Sequence, residues 1–256
     1  MYNGLNYTPD EMKQIEARID EICESLKESL GDRISKFNIA GSLSKHTEVR
    51  GLSDVDLRIT LGEEYADKTP LQVRRILKNV LKHKIKDCKI YSGDIALTLK
   101  YEDLDIQLIP VRPVANGKVL VPRNNESWSG PTDQEEFGRM LKDLYRSYGK
   151  DPRDGVYRVE KVIRVMKAME YFRSPDMRLP GYFVENMVYK ALRDGACNPK
   201  STSGVLLKHS YEYASQQILK RTREVSGQSR YVDSCLHTVQ RKNRDKLAEQ
   251  LSKTAD

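Results

Sequence analysis

A chain of 256 residues with 38% apolar and 32% charged side chains and a net charge of +7 has the balance of one large folded domain or two small lobes, not of a disordered segment. No apolar run nears the ~18 residues that a membrane span needs. The opening "MYNGLNYTPDEMKQIE" has neither a basic start nor an apolar core, so no signal peptide is expected and the expected compartment is the cytoplasm. Cys23, Cys88, Cys197 and Cys235 form no CxxC pair, and His46, His83, His209 and His237 are equally scattered. That spacing argues against a zinc ribbon, a disulfide scaffold or a histidine-based metal site. The basic balance suits nucleic acid or any phosphate-bearing partner, and is also common where there is none.

In chain order, Thr8 to Leu30 reads as a helix: Pro9 stands near its first turn, Ile15, Ile19, Ile22 and Leu26 repeat at helical spacing, and Gly31 stops it. Short strands follow at Phe37–Ala40 and Asp54–Thr60, the second alternating through Val55, Leu57 and Ile59. Pro70–Lys84 returns to helix, and strands are expected near Cys88–Tyr91, Ile95–Tyr101 and Leu104–Val111. Val114 to Pro131, rich in Gly, Pro and Asn and holding the lone tryptophan, Trp128, reads as a crossing between lobes. Beyond it the periodicity is helical almost throughout, over Glu135–Tyr148, Gly155–Tyr171 and Gly181–Arg193, with two or three further helices. A mixed α/β lobe over residues 1–130, including the helix 8–30, is therefore followed by an all-helical lobe over 131–256.

The stretch "FNIAGSLSKHTEVRGLSDVDLRIT" concentrates the chemistry. Strand alternation puts Asp54 and Asp56 on one face, with Val55 and Leu57 toward the core. Two such carboxylates repel unless a cation lies between them, and paired Mg²⁺ ions with open positions for phosphate answer that need. The alternative is an ordinary strand with an exposed acidic face. Gly41-Ser42, after the apolar "FNIA", suits a tight turn whose N–H groups meet a phosphate. Ser42 and Thr47 add hydroxyls and Lys45 a positive charge; a plain capped loop is the alternative. In "YEDLDIQLIPV", Asp103 and Asp105 share one strand face, and Asp105 is the favoured third carboxylate because the apolar alternation continues from it.

"GSLSKHTEVRGLSDVDL" resembles the signature of the polymerase-β-type nucleotidyltransferases, with His46 where glycine is common. "ESWSGPTDQEEFGRMLKDLYRSYG", "VEKVIRVMKAMEYF" and "RLPGYFVENMV" are similar to the oligoadenylate synthetase and cyclic GMP-AMP synthase branch, including the bacterial CD-NTases of antiphage systems. The resemblance spans roughly Ile34 to Leu192. It implies an α+β fold, a nucleotidyltransferase palm of mixed β-sheet and helices followed by an all-helical C-terminal lobe, with the active site in the cleft between them. It also implies that Lys167 reaches nucleotide phosphates and that Tyr182 stacks on a base, with Glu185 at the acidic position and Gly181 replacing a serine. The alternatives for these residues are a solvated basic helix face shared by Lys161, Arg164 and Lys167, core packing for Tyr182, pairing within the lobe for Glu185, and an interlobe anchor for Trp128.

The reaction so implied is the attack of a hydroxyl on the α-phosphate of an NTP, with release of pyrophosphate. Asp54, Asp56 and Asp105 would be catalytic and would hold two Mg²⁺ ions, for which Mn²⁺ can substitute; Gly41, Ser42, Lys45, Thr47, Lys167 and Tyr182 would hold the nucleotide. The favoured product is a linear or cyclic oligonucleotide signal made without a template. RNA 3′-end addition, of the CCA-adding or tailing type, is the alternative, since "PGY" also resembles the "SGY" of archaeal-type CCA-adding enzymes. A non-catalytic nucleotide- or RNA-binding module is the third reading. The basic stretches "VRRILKNVLKHKIK" and "VQRKNRDK" fit RNA as acceptor or activator, or solvated helix faces. Oligomeric state is not indicated.

Overall fold

A computed structural model of the chain describes residues 2–193, 197–226, 231–232, 236 and 238–255. Cys235 and His237 lie outside the described residues; Cys23, Cys88 and Cys197 are free thiols. The chain forms two compact units. A sheet unit comprises Tyr7–Ser44 and Ser53–Gln134; a helical unit comprises Met1–Asn6, Lys45–Leu52 and Glu135–Asp256.

In the sheet unit, helix α1 (Pro9–Leu30) opens on a reciprocal cap: Thr8 Oγ1 accepts from the Glu11 N–H and Glu11 returns a carboxylate to the Thr8 N–H. Such a cap contributes about 1 kcal/mol. Gly31, at φ +55°, ends the helix in a backbone conformation that favours glycine. Helix α3 (Pro70–Lys84) starts on the same device, Thr69 with Gln72. Around them run β1 (Ile34–Ile39), a single helical turn α2 (Gly41–Ser44), β2 (Val55–Leu61), β3 (Lys89–Ser92), β4 (Leu97–Lys100), β5 (Asp105–Pro113) and β6 (Val119–Leu120).

The strands form one mixed sheet in the order β1-β2-β5-β4-β3, with β6 on β5. Only β2 and β5 run parallel, pairing Val55 with Ile106 through Thr60 with Val111; the other pairs are antiparallel. Alternation decides the two faces. Val55, Leu57, Ile59, Leu97, Leu99, Ile106 and Leu108 are buried in one core with Ile15, Ile19, Ile22 and Leu26 of α1 and Val73, Leu77 and Leu81 of α3. The opposite face keeps the polar residues of β2 and β5.

The stretch read as a crossing between lobes belongs to the sheet unit through Gln134. Its β6 extends the sheet, and Trp128 donates from Nε1 to the Lys68 carbonyl at 3.0 Å and packs against the α1–α3 core. Those contacts tie the segment to the sheet unit. Arg74, part of the expected solvated face of α3, is fully buried and donates to Asn125 in the same segment.

The helical unit packs α4 (Glu136–Tyr148), α5 (Arg158–Tyr171), α6 (Gly181–Arg193), α7 (Ser203–Gln217) and α9 (Arg244–Ala255) around one apolar core, with the short α8 (Thr238–Lys242) preceding α9. Phe137, Leu141, Ile163, Met166, Val184, Met187, Leu206, Tyr211, Leu247 and Leu251 fill it. Among the described residues, no helix is long and apolar enough to cross a membrane.

Candidate active site

The acidic face follows from the parallel register. Because Val55 stands opposite Ile106 and Asp56 opposite Gln107, Asp54, one residue before β2, comes level with Asp105 at the start of β5. Asp54, Asp56, Asp105 and Gln107 thus share the sheet face turned away from α1 and α3. Asp54 is an exposed residue; partial burial of its carboxyl, then the negative charge of Asp105, pushes that carboxyl above the usual aspartate range. Gln107 Nε2 donates to Asp54 Oδ2 at 2.5 Å, and Lys100 Nζ lies 3.9 Å from Asp105 Oδ2, both opposing that rise. Gln107 and Lys100 are site neighbours that sequence reasoning passed over. Gln107 has the parity of Asp105, and Lys100 is the antiparallel partner of Asp105, a pairing that only the strand order reveals.

Gly41 fixes how the turn meets this face. It sits at φ +60°, and a Cβ placed on it would fall 1.7 Å from Asp56 Oδ2. A side chain there would displace the Asp56 carboxylate, against which the backbone of the turn directly lies. The Ala40 N–H donates to the Asp56 carbonyl at 2.8 Å, tying the start of the turn to β2. Ser42 is half-buried in α2.

Asp103 does not join the acids. The chain bends through Glu102 and Asp103 before β5 begins, and Asp103 pairs with Arg18 of α1 at 2.9 Å. The expected shared face of Asp103 and Asp105 is lost because the strand starts only at Asp105, after the bend.

Lys45, Thr47, Lys167, Tyr182 and Glu185 meet in the helical unit. Glu185 is buried on α6 and takes Lys45 Nζ on Oε2 at 2.5 Å and Lys167 Nζ on Oε1 at 2.6 Å. Thr47 Oγ1 donates to Glu185 Oε1 at 2.6 Å, and Lys167 also donates to the Thr47 carbonyl at 2.9 Å. Burial alone would push the Glu185 carboxyl up, but the Lys167 and Lys45 ammonium groups outweigh it and hold it down at about 2. Burial lowers the Lys167 ammonium, and Glu185 only partly restores it. The α5 basic residues are thus not a solvated face: Lys161, Arg164 and Lys167 are each buried or nearly so and ion-paired, with Asp151, Glu48 and Glu185 respectively.

Gly181 gives Lys167 its room, for a Cβ there would come within 3.2 Å of Lys167 Cε. The Tyr182 ring packs edge-on to Phe137, with Lys45 Nζ 5.7 Å from its centroid, and its hydroxyl donates to Glu224 at 2.5 Å. His46 adopts φ +57°, the left-handed conformation that explains why glycine suits this position.

The acids suit magnesium of a particular kind. Among the described residues no group of three or more His, Cys, Asp or Glu side chains stands ready to hold a metal ion, Asp54, Asp56 and Asp105 included. Mg²⁺ is commonly held by only one or two carboxylates, with substrate phosphates and water completing its octahedron, and Asp54 and Asp105, which repel each other on this face, have the chemistry for such a partial donor set.

No protein-family model matches this sequence, and no curated protein does. Solved structures do match. The chain is similar to the CD-NTase CdnG of Bradyrhizobium diazoefficiens in complex with GTP, at 12% identity and a TM-score of 0.75, over 99% of this chain and 88% of that one. It is similar to CdnC of E. coli MS115-1 in complex with HORMA-deltaN, at 15% identity and TM-score 0.72, over 99% and 86%. It is also similar to the Vibrio cholerae cyclic AMP-GMP synthase DncV, at 12% identity and TM-score 0.72, over 100% and 87%. The chain has the fold of the bacterial CD-NTases, as the motif resemblance implied.

Proposed function

We propose that this chain is a template-independent nucleotidyltransferase that joins NTPs into a linear or cyclic oligonucleotide signal, of the antiphage type, and releases pyrophosphate. One observation carries the reading: Asp54, Asp56 and Asp105 lie on one face of two parallel strands in register, with the Gly41 backbone set against Asp56. The CD-NTase fold supports it, as do neighbours that include a cyclic AMP-GMP synthase and a GTP complex. ATP and GTP are therefore the first substrates to test.

Two Mg²⁺ ions, or Mn²⁺ in their place, held by Asp54, Asp56 and Asp105, would supply Lewis-acid stabilisation of the phosphates and acidify the attacking hydroxyl. Asp105 accepts the proton of that hydroxyl. The oxygen bonds to the α-phosphorus as the bond to the bridging oxygen of the β-phosphate breaks, and both electrons of that bond leave with pyrophosphate. Gly41 and Ser42 orient the triphosphate through N–H and hydroxyl donors. In the helical unit, Lys45 and Lys167 carry two positive charges against the single carboxylate of Glu185. The surplus charge suits a phosphate, with Thr47 as a further donor and Tyr182 as a surface for a base.

RNA 3′-end addition is the second reading, favoured by the exposed Lys82, His83, Lys86 and Lys89 at and beyond the end of α3. The first experiment measures pyrophosphate release from ATP and GTP by the parent protein and by Asp56→Asn. The parent is expected to turn over and the variant to lose about a hundredfold or more; equal rates would overturn the proposal.

A further inference from the structure

Segment Lys45–Leu52 leaves the sheet unit and packs wholly within the helical one. It has no regular structure over 47–49, so its backbone groups need partners from elsewhere. Three consecutive carbonyls find them on α4 and α5. Tyr145 Oη donates to the Lys45 carbonyl at 2.9 Å, Arg164 Nε to that of His46 at 3.0 Å, and Lys167 Nζ to that of Thr47 at 2.9 Å. Arg164 also pairs through Nη2 with Glu48 at 2.5 Å and through Nη1 with Asn6. One planar guanidinium thereby grips the backbone at residue 46 and the side chain at residue 48.

The conformation so held is costly. His46 sits at φ +57°, which for a residue with a Cβ costs about 1 kcal/mol or more and persists only where the surroundings over-determine it. On either side of it stand Lys45 and Thr47, whose side chains both reach the buried Glu185. Tyr145 and Arg164 are themselves buried, and Tyr145 stacks on Tyr157 at 5.9 Å. Burial, then the charge of Glu185, raises the Tyr145 phenol, so it remains a hydrogen-bond donor. An arginine likewise keeps its proton.

We infer that Tyr145 and Arg164 are positioning residues for nucleotide binding: they touch no nucleotide, but by holding the carbonyls of Lys45 and His46 they set where the Lys45 and Thr47 side chains stand. This rests on the reading that Lys45 and Thr47 contact the nucleotide. Removing the clamp lets residue 46 relax, which turns Lys45 and Thr47 away from their present directions, and small displacements of binding groups are expensive.

The test is equilibrium binding of non-hydrolysable ATP and GTP analogues in Mg²⁺, which needs no turnover, alongside thermal melting. Tyr145→Phe deletes one hydroxyl and keeps the ring; its Kd is expected to rise about fivefold. Arg164→Lys keeps the charge and loses the fork, and a rise of about tenfold or more is expected. Arg173→Lys serves as control, because Arg173 pairs with Glu170 in the same unit and does not touch residues 45–48. It should lower the melting temperature without moving Kd. If Tyr145→Phe and Arg164→Lys bind as tightly as the parent while melting earlier, the clamp is purely structural and the inference is overturned. A parent that binds the analogues but releases no pyrophosphate from NTPs overturns the proposed activity alone; a parent that binds neither analogue overturns both.

Discussion

At Gly41, backbone freedom and the site's acid are one constraint. Gly41→Ala would drive a methyl into Asp56 and force φ +60° on a residue that avoids it. It is expected to abolish pyrophosphate release while far-UV circular dichroism stays unchanged. Glu185 carries the opposite kind of constraint, a buried charge with two partly buried partners. Glu185→Gln leaves Lys45 and Lys167 uncompensated and should cost about 3–5 kcal/mol in urea unfolding. The sign of its pH dependence follows from the depressed carboxyl, at about 2 in the fold against about 4.3 unfolded. The stabilisation is complete above the unfolded value and is lost as pH falls from there through the folded one. The parent's acid unfolding should therefore steepen over that window, and the variant's should not. Asp54 and Asp56 were readable as same-face carboxylates because alternate residues along a strand share a face, a rule that failed for Asp103 and Asp105 because β5 starts only at Asp105. Arg164 and Gln107 were not legible, because a basic helix face and an alternating strand look alike in sequence whether solvated or built into a site.

Helices α1 and α3 were legible nearly to the residue, since each carries its own start signal in Thr8-x-x-Glu11 and Thr69-x-x-Gln72. The strands were legible as alternation but not as an order. That β2 and β5 are parallel neighbours depends on how the helical crossover packs back, which no local pattern records. That pairing nevertheless positions the acids, so its core side is where stability and site meet. Leu57, fully buried on β2, has Asp56 as its neighbour on the opposite face. Leu57→Ala should cost about 2–5 kcal/mol, read as a lower urea midpoint with the slope unchanged. Segment 45–52 was the least legible element: its sequence neighbours lie in the sheet unit, while its partners are side chains about 100 to 140 residues away.

For the whole molecule, the balance of a mixed sheet followed by helices was plain from the change of period from Thr132 onward. The packing of 1–6 and 45–52 with the helical unit was not, because contacts that distant in sequence leave no periodic trace. The CD-NTase fold leaves the acceptor open, since an NTP and an RNA 3′ end present the same hydroxyl. Chelation by EDTA should stop product formation and added Mg²⁺ or Mn²⁺ restore it, measured as pyrophosphate release, because carboxylates on one face, Asp54 and Asp105 repelling each other among them, do not bind phosphate without a cation. The most direct measurement incubates the purified protein with labelled ATP and GTP in Mg²⁺, with and without RNA, then treats with phosphatase and resolves the products by chromatography. A phosphatase-resistant small product formed without RNA is the predicted result. Label found only on added RNA would contradict the signal-synthase account and move the assignment to 3′-end addition.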